Sequence, residues 1–547
     1  MQLYSSAHVD TFCRDHLPPA EQWPELLFTL PELEYPERLN CAVELLDRTI
    51  ERHDGDRRCL LSPAETWSYA DLRRHADGVA RVLVEDLGLA PGNRVLLRGP
   101  NTPWLVACWF GVVKAGGVAM TSMPQLRSGE LSVICEMGRV ELALCDHRFV
   151  EELAAAQVPD LRIVTYGSST PGDLTVRAGA KPLGFSAVDT AADDVALLAF
   201  TSGTTGRPKA AMHFHRDVMS VALTFSRHVL RPVQEDLFTG TPPLAFAYGL
   251  GSLLVFPLQV GAATLLLERT TPDAVADAVA EHRATVLFTA PTAYRAMLAA
   301  GKAPQLSSLR RCVSAGEHLP RAVWEAFHAA TGLRLIDGLG STEMLHVFVS
   351  AADDDIRPGS TGKAVPGYLV RVVDALNRPV PDGQVGRLAV KGPTGCRYLA
   401  DPRQTAYVSE GWNITGDAYM RDADGYFWYQ SRSDDMIVSA GYNIAGPEVE
   451  TALLRHPDVV ECGVVGAPDQ ERGTVVTAFV VLGTGVVGDD AKAKELQDHV
   501  KATIAPYKYP RRIEFIDALP RTSTGKLQRF RLRDMAKQDS TGPQAAT

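Results

Sequence analysis

The 547-residue sequence predicts an α/β protein: a large N-terminal domain of doubly wound sheets with a small β subdomain, hinged to a small α+β C-terminal domain. Three observations lead there. From Ala42 to about residue 340, short apolar runs alternate with helical stretches, the rhythm of parallel strands covered on both faces. After about residue 360 the texture turns to short β-type runs between Gly, Pro and Asp turns. Beyond Asp434 a compact α+β pattern of small-domain size begins. A chain of this length exceeds a single core, and the division is predicted at 1–433 and 434–547, with the hinge at Asp434.

Residues 1–40 carry many prolines and few periodic apolar positions, so they read as an arm laid over the surface. A helix is predicted over 69–87, then a βαβ unit from strand 94–97, helix 102–115 and strand 118–121. Another strand follows at 141–145, and the buried run 195–200 is a further one. No charged residue occurs from Leu237 to Leu267, but prolines and glycines break the stretch. A helix around 250–258 and a strand at 263–267 explain it better than a membrane span. Strands are expected at 284–288, 309–314 and 333–336, with helical sequence opening near Pro291 and Pro320. The β subdomain holds 369–374 and 387–391. The last unit holds a helix opening at Gly446, strands at 459–465 and 475–481, and a helix at 491–504. The tail after Gln538 has the composition of a disordered segment.

The net charge of −10 argues against a nucleic-acid or anionic-membrane partner, so any polyanion must find a local basic pocket. Nine cysteines without a Cys-x-x-Cys spacing suit reduced thiols in a cytosol rather than a disulfide frame or zinc site. The opening residues lack the basic start and apolar core of a signal peptide, and a cytoplasmic protein is expected.

The chemistry centres on Thr201-Ser-Gly-Thr-Thr-Gly-Arg-Pro-Lys209, which follows a strand. Gly203 and Gly206 let backbone N–H groups turn toward an anion. Thr201, Ser202, Thr204 and Thr205 add hydroxyl donors, and Lys209 adds a point charge. The spacing is not that of a Walker P-loop, and in isolation the stretch fits an ordinary hydrophilic turn equally well. Ser314-Ala-Gly-Glu317 and Asp337-Gly-Leu-Gly-Ser-Thr-Glu343 also fall just past predicted strands. Ligand loops of parallel sheets lie there, so all three are expected at one sheet edge.

These blocks, with Thr415-Gly-Asp417, Ser431-Arg-Ser-Asp434 and Pro520-Arg-Thr-Ser-Thr-Gly-Lys526, recur in one order, and the chain resembles the adenylate-forming superfamily over nearly its whole length. Ala245-Phe-Ala-Tyr-Gly-Leu-Gly251 and Thr342-Glu-Met-Leu-His346 look like benzoate-type CoA ligases, and the opening residues like 2-aminobenzoate-CoA ligases. The resemblance implies an ATP-dependent ligase that makes an aryl adenylate and passes the acyl group to coenzyme A. A carrier-protein thiol is the alternative acceptor, and a non-catalytic scaffold and a luciferase-type oxygenase are the remoter rivals. A small aromatic carboxylate is the implied substrate, a benzoate with an ortho amino or hydroxy group, and the chain a monomer or homodimer.

By the same resemblance, the 201–209 loop orients the β- and γ-phosphates, Thr342 contacts the α-phosphate and Glu343 holds Mg2+. Ser314, Gly316, Glu317, Asp337 and Gly338 frame the adenine, and Asp417 binds the ribose with Arg432 nearby. Lys526 bridges the α-phosphate and the attacking carboxylate. After adenylation the small domain swings about Asp434, bringing in the Gly441 loop to guide pantetheine, with Arg472, Lys508, Arg511 and Arg512 as candidate partners of CoA's phosphates. Phe246, Ala247, Tyr248, Gly338, Gly340 and His346 line the aryl pocket, where Gly249 and Gly251 also leave space for a flat ring. Taken singly, Asp417 fits a turn, Glu343 a helix first turn, Lys526 a solvated surface, and His346 and Phe246 simple core packing. Two positions depart from the usual pattern: Ser431 replaces a frequent glycine, and Leu339 replaces an aromatic that stacks on adenine in many members.

Overall fold

The structure, a computed structural model, describes residues 3–201, 208–432, 435, 437–439, 442–469, 473–504, 508–522 and 526–538. Two large sheets organise the first part. One has six strands: Arg162–Tyr166, Leu142–Asp146, Arg94–Arg98 and Val118–Ser122 run parallel, joined by β1 (Val195–Thr201) and closed by β2 (Lys209–Phe214). Every residue of Arg94–Arg98 is buried, as expected for a strand with both faces covered. The helix Pro103–Lys114 starts at a Thr102 cap and is buried along almost its whole length. Its Lys114 is admitted to the interior by Asp77 at 2.6 Å and Asp47 at 2.9 Å.

The other large sheet has nine strands. Near its centre Val286–Thr289, β3 (Arg311–Ala315) and β4 (Leu335–Gly340) are parallel, and the helix α1 (Pro291–Ala299) begins on Pro291. The uncharged stretch forms the strand Leu237–Gly240, a helical segment over residues 247–259 and the strand Ala263–Leu265, nearly all of it buried core. Among the described residues no helix is long and apolar enough to cross a membrane.

Two expectations need correction. The three candidate loops do not share one sheet edge: residues 201–209 belong to the six-stranded sheet, and Ser314 and Asp337 to the nine-stranded one. Strand–helix alternation identifies strands but not which sheet each one joins. Nor does Asp337-Gly-Leu-Gly340 lie past its strand. β4 runs on through Gly340, because the antiparallel neighbour Val347–Ser350 supplies ladder partners and Ser350 Oγ donates to the Asp337 carbonyl at 2.6 Å.

A five-stranded sheet follows, containing β5 (Trp412–Arg421) and β6 (Phe427–Arg432). The last part forms a two-stranded hairpin, Ile437–Ser439 with Tyr442–Ile444, and a three-stranded sheet of β7 (Val459–Asp469), Gly473–Leu482 and Arg512–Phe515. Helices Gly446–Leu453, Asp490–Thr503 and Arg529–Gln538 accompany it. Asp434 lies outside the described residues, as does the tail after Gln538. All nine cysteines are free and buried.

Candidate active site

β1 and β2 form an antiparallel hairpin in which Thr201 pairs with Lys209. The glycine-rich loop is therefore the hairpin's tip, and its pairing fixes Lys209 at the root. Ser202, Gly203, Thr204, Thr205 and Gly206 lie outside the described residues. Lys209 Nζ sits 3.3 Å from Glu343 Oε1 and donates to the Tyr398 hydroxyl at 2.5 Å, lying 4.5 Å over that ring. Tyr398 in turn donates to the same Glu343 oxygen. Burial and the Glu343 carboxylate push the Tyr398 hydroxyl well above its ordinary pKa, so it stays a donor. Glu343 thus presents a buried carboxylate oxygen, with the Lys209 ammonium beside it. This donor chemistry fits Mg2+, a hard ion that prefers carboxylate oxygen.

Ser314 and Asp337 are register partners on β3 and β4. Ser314 Oγ and Asp337 Oδ1 are both buried without a hydrogen-bond partner among the described residues. Two unpaired polar atoms side by side call for a ligand's donors or acceptors. Burial also raises the Asp337 carboxyl far above the usual carboxylate range, so it can carry a proton to donate. Gly316 adopts φ +87°, and a Cβ there would stand 3.8 Å from Lys526 Cε: the small domain's lysine reaches over this glycine. Glu317 is raised by burial, with Arg521 3.9 Å away. Asp417 on β5 is 9% exposed and lies opposite Arg432 of β6 in the ladder.

His346 closes the other end. It is buried beside the rings of Phe256, Phe225 and Tyr248, with centroids 4.5, 5.5 and 5.7 Å away. Neither ring nitrogen makes a well-formed hydrogen bond among the described residues, the Tyr248 main chain being the polar group that faces the ring. Burial lowers its pKa to about 3, so the ring is neutral and offers one donor and one acceptor. The Tyr248 hydroxyl is already committed to the carbonyls of Thr289 and Val313, at 3.3 and 3.4 Å, which leaves its ring as a wall. Ala247 and Tyr248 begin a helical turn capped by Phe246. A Cβ on Gly251 would stand 2.3 Å from the His346 ring, and one on Gly340 2.7 Å from its carbonyl. On the Cβ side, these glycines make room for the histidine itself.

Small and large domains are tied by charge. Arg295 of α1 donates to Glu461 of β7 at 2.6 Å, and Arg521 reaches the other Glu461 oxygen at 3.2 Å. Lys508 pairs with Glu448, Arg511 stacks on Tyr509, and Arg512 lies 3.9 Å from Asp469. Arg472 and Gly441 lie outside the described residues, as does the Arg432 side chain. Sequence reasoning did not single out Tyr398, His213, Asp217 or Arg397. Tyr398, His213 and Arg397 are distant in sequence from Glu343, Thr342 and Asp217, the groups they meet, and no local pattern marks any of the four.

A small-domain lysine placed over Gly316 of the large domain, with a hairpin lysine beside the Glu343 carboxylate, is an arrangement that suits an adenylate-forming enzyme. Residues 46–398 match the AMP-binding enzyme family and residues 448–526 the AMP-binding enzyme C-terminal domain. The chain is 36% identical to the benzoate–CoA ligase of Thauera aromatica over 92% of its own length and 98% of that protein's. It is 35% identical to the 4-hydroxybenzoate–CoA/benzoate–CoA ligase of Rhodopseudomonas palustris, over 91% of this chain and 94% of that one. Among solved structures, the anthranilate CoA ligase AuaEII in complex with anthranoyl-AMP superimposes with a TM-score of 0.88 at 34% identity, covering 94% and 100% of the two chains. A benzoate CoA ligase from Burkholderia xenovorans gives 0.83 at 33%, covering 90% and 100%. The chain belongs to the AMP-binding enzyme family, the AMP-forming acyl- and aryl-CoA ligases.

Proposed function

We propose that this chain is an ATP- and Mg2+-dependent aryl-CoA ligase that activates a benzoate bearing a small ortho substituent, amino or hydroxy. The observation that carries the substrate is His346: a neutral imidazole, buried among aromatic rings, whose ring nitrogens are not fully paired among the described residues. An unsubstituted ring would leave those atoms unsatisfied, whereas an amino or hydroxy group can pair with one of them. The benzoate and anthranilate ligases named above support the same substrate class.

The substrate carboxylate is ionised at neutral pH, since its pKa lies near ~4, so attack on the α-phosphorus needs no general base. One oxygen–phosphorus bond forms and pyrophosphate leaves. The obstacle is bringing two anions together, and pre-aimed cations and N–H dipoles meet it. In this reading Lys526 spans carboxylate and α-phosphate, Lys209 takes the outer phosphates as it releases Glu343, and Asp417 takes the ribose. Bound Mg2+ would neutralise phosphate charge, with Glu343 as its protein ligand. The small domain, residues 434–547, then turns about Asp434, Lys526 withdraws, and the CoA thiol attacks the acyl carbonyl with AMP leaving. The position of Lys526 over Gly316 matches the first of these two orientations.

A panel of benzoates assayed by pyrophosphate release, with and without CoA, tests the reading. The expected result is a preference for 2-amino- or 2-hydroxybenzoate that His346→Ala reduces about 10–100-fold, on the scale of one lost buried hydrogen bond, with the KM for ATP little changed. Equal turnover of unsubstituted benzoate, or product formation without CoA dependence, would contradict it.

A further inference from the structure

We propose that His213 is a positioning residue for the Thr342–Glu343 pair, holding it through the Thr342 main-chain carbonyl. The inference rests on the reading above that this pair serves the nucleotide's phosphates. His213 is fully buried, and its Nε2 lies 2.8 Å from Thr342 O. A carbonyl only accepts, so Nε2 carries the hydrogen. The same carbonyl also accepts from Leu345 N at 3.1 Å, closing a turn. In that turn Leu345 adopts φ +65°, a left-handed conformation that a leucine takes only under constraint from its surroundings. The histidine supplies part of that constraint from outside the turn.

Lys209 and His213 are four residues apart on β2, and the strand's two-residue period brings both to one face. The strand therefore takes the pair at two successive points: Lys209 the Glu343 carboxylate, His213 the carbonyl one residue before it. The His213 Nδ1 lies 3.7 Å from Asp217 Oδ2, beyond hydrogen-bond reach; that oxygen accepts from Phe214 N at 3.0 Å and pairs with Arg397, and both side chains are fully buried. The Arg397 guanidinium lies 4.0 Å over the Phe214 ring. Arg397 is followed by Tyr398, which reaches Glu343 directly. Tyr398 thus supports the pair at the carboxylate, while Arg397 holds the Asp217 carboxylate next to the buried His213 ring.

The test compares His213→Leu, His213→Gln and His213→Asn in the full chain, with Glu343→Gln in parallel. Two quantities are read: adenylation rate by pyrophosphate release, and calorimetric affinity for a non-hydrolysable ATP analogue with and without Mg2+. His213→Leu should slow adenylation about 10–100-fold, the scale of one buried hydrogen bond, and shrink the gain in analogue affinity that Mg2+ brings. Thioester formation from supplied aryl adenylate should change by less than about threefold, as the pair acts in the first step. Glutamine, whose amide nitrogen matches the reach of Nε2, should restore most of the rate; asparagine, which matches Nδ1, should not. If the leucine variant fails to fold, the glutamine–asparagine contrast still decides. Equal rates for those two variants, or an unchanged rate in the leucine variant while Glu343→Gln is inactive, would overturn the positioning role alone. Full adenylation and an intact Mg2+ effect in Glu343→Gln would remove the reading of the pair, and this proposal with it.

Discussion

Glu461 offers a direct measure of what ties the small domain to the large one. Its carboxylate joins Arg295 of the large domain, at 2.6 Å, to Arg521 of the small one, at 3.2 Å, and Arg521 continues to Glu317 at 3.9 Å. The side chains are 26–33% exposed, so solvent screens them and each pair contributes only about 0.5–1 kcal/mol. Glu461→Gln removes the net charge at the centre of the chain. If the small domain turns as proposed, a loss of about 1 kcal/mol moves the balance between its two orientations about fivefold away from the one described. Adenylation should fall by up to about fivefold where that orientation limits the rate, while thioester formation from supplied aryl adenylate holds steady or rises. Raising ionic strength to about 0.5 M should bring the unsubstituted protein toward the variant, since screening acts on the same pairs. Both half-reactions can be followed separately, by pyrophosphate release and by thioester absorbance. A variant that loses both equally, or loses neither at low salt, would refute the latch.

Three further outcomes are expected. Lys526→Ala should slow adenylate formation about 10²–10³-fold, as for other lost transition-state donors, while sparing thioester formation from supplied aryl-AMP; equal losses would count against its role. Arg397→Met leaves the Asp217 carboxylate buried without its guanidinium and should cost about 3–5 kcal/mol in denaturant unfolding; a change below about 1 kcal/mol would contradict the pairing. His346 and His215 are held neutral with pKa values lowered to about 3, and His318 to about 4, each chiefly by burial. The unfolded chain takes up these protons below about pH 6.5 while the folded chain does not, so stability is present above that pH and is lost as pH falls toward 4. Melting temperatures that do not drop between about pH 7.5 and 5.5 would speak against this.

Much of the frame is legible in residue order. Apolar runs located β1, β3 and the strands around them, and the Pro/Gly interruptions identified residues 237–267 as core. The reading failed where partners are distant. Nothing local says that β2 folds back on β1, which puts the glycine loop at a hairpin tip. Nor does anything local say that Asp337 belongs to an extended strand, since the neighbour that extends it begins only at Val347. His213 and Thr342 are 129 residues apart, and Tyr398 and Glu343 are 55 apart. Such contacts exist only once two sheets and a crossing segment have packed. Motif order and resemblance could nominate Lys209, Glu343 and Lys526 as candidates; residues that pack against them could not be nominated.

The buried cysteines bear on how the enzyme survives its own product. An acyl adenylate is a mixed anhydride, open to any thiolate that can reach it, and the thiolate is the reactive form of cysteine. Here every sulfur is enclosed, and burial keeps thiols such as Cys41, Cys59 and Cys108 protonated. The polypeptide therefore has no nucleophilic sulfur of its own with which to intercept the intermediate, and the only one it meets arrives with the acceptor. The same enclosure should leave the folded enzyme indifferent to iodoacetamide.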